Sequence, residues 1–195
     1  MLAFTLDTNC LIALEEDRLD TAPGVRALLA RHHAGELVVR IVATTAAERQ
    51  LDGTYLPNFG AFLSRLAAVG LDHLPILKPP AAFDLTYSDW CVFAGDDDEE
   101  EGRRIHQALF VSPYDYGEAV PSDLQGEDRS RAEHKWRNRR LDGLGLQTHI
   151  HARADVFVTS DKAFFKDRTR QALSALGAGT ILTPAQAGRY QDQNR

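Results

Sequence analysis

Four acidic side chains carry the chemistry this sequence can offer: Asp7, Glu48, Asp142 and Asp161. Asp7 ends the extended apolar run at residues 2–6, and Asp161 ends the run at 155–160. A short β-rich run that stops at an Asp, with a helix behind it, puts the carboxylate at the carboxyl end of a strand. In parallel α/β sheets that edge is where ligands bind. Glu48 falls in the turn after the β-branched run 36–42, and Asp142 precedes the last long strand by about one helix. If that helix packs antiparallel to the strand, its start reaches the same edge. Four converging carboxylates need a counter-charge, because close like charges raise one another's pKa. All-oxygen donors without a His or Cys cluster suit Mg²⁺ or Mn²⁺. Such ions can activate a water and steady the leaving oxygen in phosphodiester hydrolysis. Thr8, Asn9, Thr159 and Ser160 stand beside the acids and can orient carboxylates or metal-bound waters.

Each acid also has a plain structural reading. Asp7 and Asp161 can cap the helices that follow them. Thr45-Ala-Ala-Glu48 is a capping box by its spacing. Asp142 can pair with Arg139 or Arg140. Asp155 competes for a place in the cluster but lies before its strand, at the wrong end; Glu133 is a second competitor. His149 follows Asp142 by seven residues on the same helical face, with His151 nearby. A metal or base role there is weighed against a satisfied, partly buried histidine, the expected outcome.

The elements that must position these residues follow from periodicity and punctuation. Strands are expected at 2–6, 36–42, 155–159 and 180–182, and helices at 8–16, 21–34, from 45 to 51, 58–69 and 162–176. Pro23 suits a first helical turn. Residues 127–152 are helical in composition, with an interruption expected at Gly143 and Gly145. Residues 72–126 read as irregular. Strands alternating with helices predict a parallel sheet, and about 70–130 is expected as an insertion beside the site, adding little to the core and no strand to the sheet. The chain of 195 residues is expected to make a single domain.

The motifs Leu-Asp-Thr-Asn at 6–9, a Glu after Thr-Thr-Ala-Ala at 48, an Asp opening a helix at 142, and Val-Thr-Ser-Asp-Lys-Ala-Phe at 158–164 resemble those of PIN-domain ribonucleases, a family that includes toxins of the VapBC type. The resemblance covers residues 1 to about 51 and about 133 to 188. It implies a PIN-like α/β fold, a parallel central sheet with helices on both faces, with the middle segment as an extra. It also implies Mg²⁺- or Mn²⁺-dependent cleavage of RNA by Asp7, Glu48, Asp142 and Asp161, with Asn9 and Thr159 as auxiliary polar residues. An antitoxin protein is the partner such a toxin would have; a homodimer is left open. Two other classes remain: a non-catalytic RNA- or protein-binding module on this fold, and a haloacid-dehalogenase-type phosphohydrolase. The latter wants an Asp where Asn9 stands.

Charge distribution bears on partners, not on fold. Residues 84–128 hold thirteen acids and two bases, a net −11; the other 20 bases and 15 acids give +5. The basic stretch 129–140, with Lys135, Arg137, Arg139 and Arg140, is a candidate RNA contact, or else a solvated face paired with the acid run 96–101. That run reads as a solvated loop, or as a mask over the basic stretch. Cys10 and Cys91 make neither a disulfide framework nor a zinc site. No apolar run is long enough to span a bilayer and no signal peptide is apparent, so no membrane partner and a cytoplasmic location are expected.

Overall fold

Five short strands form one all-parallel sheet in the order β3-β2-β1-β4-β5. They are β1 Ala3–Leu6, β2 Val38–Val42, β3 Ile76–Leu77, β4 Val156–Val158 and β5 Thr180–Leu182. This computed structural model describes residues 1–48 and 54–191. The last three residues of the helix expected over 45–51, 49 to 51, therefore lie outside the described residues. In register, Leu6 pairs with Ile41 on one side and Val158 on the other, and Val158 pairs with Leu182.

Alternation along the strands divides the core between two faces. Phe4, Leu6, Val39, Ile41, Val156 and Val158 join α1 (Thr8–Glu15), α2 (Ala22–His33) and α3 (Phe59–Ala68) in one cluster. Phe157 and Ile181 face the other way. There they meet α4 (Asp96–Leu109) and, after the one-turn α5 (Tyr116–Ala119), the long α6 (Gly126–His151) and α7 (Asp167–Ala175). A final turn, α8 (Pro184–Ala187), packs on α2. The expected α/β architecture, a parallel sheet with helices on both faces, is present. Among the described residues no helix is long and apolar enough to cross a membrane.

Four local expectations are corrected. First, α6 runs unbroken for 26 residues through Gly143 and Gly145. Each glycine costs about 1 kcal/mol in helix propensity, but Leu141, Leu144 and Leu146 bury around them. Asp142 therefore sits inside a helix instead of opening one.

Second, the acid run is no loop: Asp96–Leu109 is helical, and the Asp98 carboxylate accepts the Gly95 N–H at 2.7 Å. Acids in a first turn suit the positive end of the helix dipole. Gly102, Ile105, His106 and Leu109 form its buried stripe, a helical period that the acidic flank obscures. Glu101 binds His151 at 2.5 Å, and the Asp98 carbonyl accepts from Gln147 at 2.7 Å. Asp98 and Glu101 thus serve the last turns of α6 and not the basic stretch 129–140.

Third, the middle segment does enter sheet and core. Ile76–Leu77 pairs with Ile41–Val42 as an edge strand, and Leu85, Ile105, Leu109 and Val120 are buried. A two-residue strand is too short to show a period. Fourth, the helix expected over 162–176 is divided. Lys166 is extended (φ −67°, ψ 136°) between a 3₁₀ turn, Lys162–Phe165, and α7.

Candidate functional site

β1 and β4 are sheet neighbours although they come from opposite ends of the chain. From β1 the chain builds outward through β2 and β3; it then crosses back to build β4 and β5 on the other side. The carboxyl ends of β1 and β4 flank this reversal, where an open α/β sheet leaves a crevice. Asp7 directly follows β1, and Asp161 follows β4 after Thr159 and Ser160. Asp155 accepts the Ala3 N–H at 2.7 Å at the opposite edge, so it is not part of the group.

Short side chains lock the two strand ends together. Asp7 caps α1 by accepting the Thr8 N–H at 2.8 Å, and its other oxygen accepts from the Thr159 hydroxyl at 2.6 Å and from the Asn9 amide. Thr159 Oγ1 in turn accepts the Asn9 amide at 2.9 Å and the Asp161 N–H at 3.0 Å. Asn9 Oδ1 accepts the Ser160 N–H at 2.9 Å. Asp161 caps the following 3₁₀ turn through Oδ1, which accepts the Ala163 N–H at 2.8 Å. Capping and convergence are therefore both true of Asp7 and Asp161.

The capping box expected at Thr45–Glu48 does not form. Thr45 lies within a buried 3₁₀ turn, Ala43–Ala47, and Glu48 leaves it extended (φ −78°, ψ 152°). The Glu48 carboxylate instead accepts from the Thr8 hydroxyl, which also lies 3.0 Å from Thr45 Oγ1. A hydroxyl has one proton, so Thr8 donates to Glu48 and accepts from Thr45. Thr45 thus joins the site through Thr8, a role the sequence did not signal.

Asp142 reaches the same recess from α6. Only residues 152–155 separate that helix from β4, so its last turns run back along the strand. The nine residues from Asp142 to His151 span about 13 Å of helix, enough to carry Asp142 back toward the carboxyl edge.

The electrostatics bind the four acids into one group. Burial lifts the Asp7 carboxyl to about 6; hydrogen bonds from Thr159, Thr8 and Asn9 restrain it, while the Asp161 charge adds to the lift. Burial and then the Asp7 charge push Glu48 up to about 8, against the Thr8 hydrogen bond and the Arg65 charge. Asp142 stands well above the carboxylate range through burial and then the charges of Asp7, Glu48 and Asp161, opposed by Arg139. Asp7, Glu48 and Asp142 are only half-buried, so water reaches the recess.

The donor chemistry fits a hard divalent cation: four carboxylates, with hydroxyl and amide groups holding them. Among the described residues, however, no three His, Cys, Asp or Glu side chains are gathered closely enough to hold a metal ion as they stand. The acids feel one another's charge, and joint ligation requires them to draw closer.

His149 takes no part. It is fully buried, with Nδ1 2.9 Å from Thr5 Oγ1 and Nε2 3.1 Å from the Ala178 carbonyl. Since the carbonyl only accepts, Nε2 carries the proton and Nδ1 accepts from Thr5. Burial lowers its pKa to about 4, so it stays neutral. Glu133 binds Tyr116 and Arg129 on the outer part of α6, away from the four acids.

The basic stretch is more structural than expected. Arg137 donates to the carbonyls of Ala47 and Asp84 and lies over the Tyr55 ring at 4.8 Å. Arg139 covers Phe110, and Arg140 lies 3.5 Å above the Tyr114 ring. Lys135 lines a shallow surface recess with Arg139. Arg137 and Arg140 also line a cleft of about 960 Å³ walled by Tyr55, Tyr116 and Trp136. The interleaving His134-Lys135-Trp136-Arg137 is the sequence signal that could have found it.

Compared with protein-family models, curated proteins and solved structures, the chain gives no match.

Proposed function

We propose that this protein is a divalent-metal-dependent endoribonuclease of the PIN type, with Asp7, Glu48, Asp142 and Asp161 as its working carboxylates. One observation supports the reading: acids from both ends of the chain and from two separate helical or turn segments are directed to the switch point of a parallel sheet, near enough for Asp142 to feel the charges of the other three though not gathered to ligate an ion as they stand. Acids kept for capping alone have no reason to be placed against one another at a cost in burial and repulsion. The motif resemblance supplies RNA as the substrate and extends the proposal to a toxin with an antitoxin partner.

Bound Mg²⁺ or Mn²⁺ would supply positive charge at the scissile phosphate and a water of lowered pKa. Asp7 and Asp161 stand side by side because Thr159 bonds to the carboxylate of one and the backbone of the other. Asn9 ties the two strand ends, fixing their spacing. Thr8 holds Glu48 toward the pair.

The test is RNA cleavage by the wild type and Asp7→Asn, with Mg²⁺, Mn²⁺ or excess EDTA. The substitution keeps shape and removes charge. Loss of cleavage in the variant and in EDTA supports the reading; undiminished cleavage in either overturns it. The non-catalytic reading draws on the open spacing of the carboxylates, and it predicts RNA binding without cleavage in the same assay.

A further inference from the structure

The cleft that Arg137 and Arg140 line has features that the hydrolytic reading does not use, and Arg137 anchors it one residue from Glu48. Arg137 offers five N–H donors; the Ala47 and Asp84 carbonyls take three. Neither Arg137 nor Arg140 forms a carboxylate ion pair among the described residues. The Arg140 Nε is buried with no hydrogen-bond partner among the described residues. Among the described residues, Arg137 is thus a cation pinned by neutral carbonyls, with two of its N–H groups unused. Its anchor, Ala47, directly precedes Glu48.

The walls are aromatic. Tyr55 lies against Arg137, and the Trp136 indole N–H is committed to the Tyr114 carbonyl at 2.8 Å. Tyr116 meets the Trp136 ring edge-on at 5.0 Å. Guanidinium groups with no carboxylate partner among the described residues, set beside aromatic faces, are suited to phosphate and base recognition together. Asp84, Glu99 and Glu133 also line the cleft; they disfavour a bare anion but can accept from the amino and imino groups of a base.

We propose that this cleft holds one nucleotide of the RNA strand next to the bond that is cut, its phosphate on Arg137 and its base against Tyr55 and Trp136. The proposal deepens the nuclease reading by assigning a base-binding subsite, and it rests on that reading for the identity of the strand.

The test is nucleotide binding without metal, read by fluorescence of Trp136 in a Trp90→Phe background, which leaves Trp136 as the sole tryptophan. AMP, GMP, CMP and UMP are titrated in EDTA beside ribose 5-phosphate and inorganic phosphate. The expected result is saturable quenching by at least one nucleotide, with ribose 5-phosphate at least about tenfold weaker. Tyr55→Leu should weaken nucleotide binding at least about fivefold, the low end for losing one stacking face. Arg137→Gln should weaken it as well; if that variant misfolds, Tyr55→Leu decides alone. Equal binding of ribose 5-phosphate, no effect of Tyr55→Leu, or no quenching at millimolar nucleotide overturns the proposal. RNA cleavage is assayed separately. Nucleotide binding without cleavage spares the subsite and sinks the nuclease; cleavage without nucleotide binding does the reverse.

Discussion

Thr159 donates its hydroxyl proton to Asp7 across 2.6 Å, and the residues just before them, Val158 and Leu6, are register partners in the sheet. The first acid is thereby held by the strand that delivers the fourth. Thr159→Val removes this donor, leaves the Asp161 N–H without its side-chain acceptor and leaves the Asn9 amide only Asp7 to donate to. We expect cation affinity to fall by about 10- to 100-fold, the usual range for losing an outer-shell partner. Calorimetric titration of Mn²⁺ checks this, with circular dichroism to confirm the fold.

The raised carboxyls make stability depend on pH in a definite sense. Asp7 near 6 and Glu48 near 8 both exceed their ordinary values of 3.8 and 4.5. The folded state therefore holds protons that the unfolded chain has lost, and the sign follows from linkage. The stabilisation is full below about pH 4 and is lost as pH rises toward 8. Glu48→Gln should flatten the upper part of this profile and raise stability at pH 8 by roughly 1–2 kcal/mol. That figure is kept below the ~1.4 kcal/mol per pKa unit because water reaches the carboxyl. Urea melts at pH 5, 6.5 and 8 provide the measurement; a variant that tracks the wild type at every pH would refute the assignment.

Cation binding must compete with those same protons. Mg²⁺ or Mn²⁺ should bind more tightly at pH 8 than at pH 6 and release protons as it binds. At 100 times its Kd the ion should add about 2.7 kcal/mol to stability. Thermal melts with and without Mn²⁺, and titrations in buffers of different ionisation heat, check both statements. A Tm unmoved by metal at either pH would count against the site.

How far the sequence showed this differs from residue to residue. Asp7 and Asp161 were legible because an apolar run ending in Asp is a local pattern, and the sheet later made those two runs neighbours. Glu48 lies after β2 as the sequence predicts, but its conformation differs: the Thr45–Glu48 spacing fits a cap, whereas five buried residues in a row tighten into a 3₁₀ turn. The sequence predicts a helix start at Asp142 because glycines read as breaks, and burial of their flanking leucines is a tertiary effect with no local signal. The helix at Asp96–Leu109 was hidden because its acidic first turns outweighed the stripe at Gly102, Ile105, His106 and Leu109.

Those glycines give a further prediction. A methyl at Gly143 would meet Ile105 at 3.9 Å, an ordinary contact. Gly143→Ala should stabilise the protein by about 0.5–1 kcal/mol through helix propensity and a less flexible unfolded chain. By contrast, a methyl at Gly24 would lie 2.4 Å from the backbone of Pro184, so Gly24→Ala should destabilise by more than that gain. Chemical denaturation of the two variants separates a helix that tolerates its glycines from a contact that requires one.

Because α6 is one uninterrupted rod, Arg137 and Asp142 are mounted on a common ruler. Five residues set them about 7.5 Å apart along its axis, and neither can shift without carrying the other. Whatever Arg137 grips is thereby measured off against the carboxylates, so that the place of attack is counted from the place of grip. Adding one residue between them would turn Asp142 by about 100° and advance it by about 1.5 Å. Such a chain could keep both groups and still lose the alignment between holding and cutting.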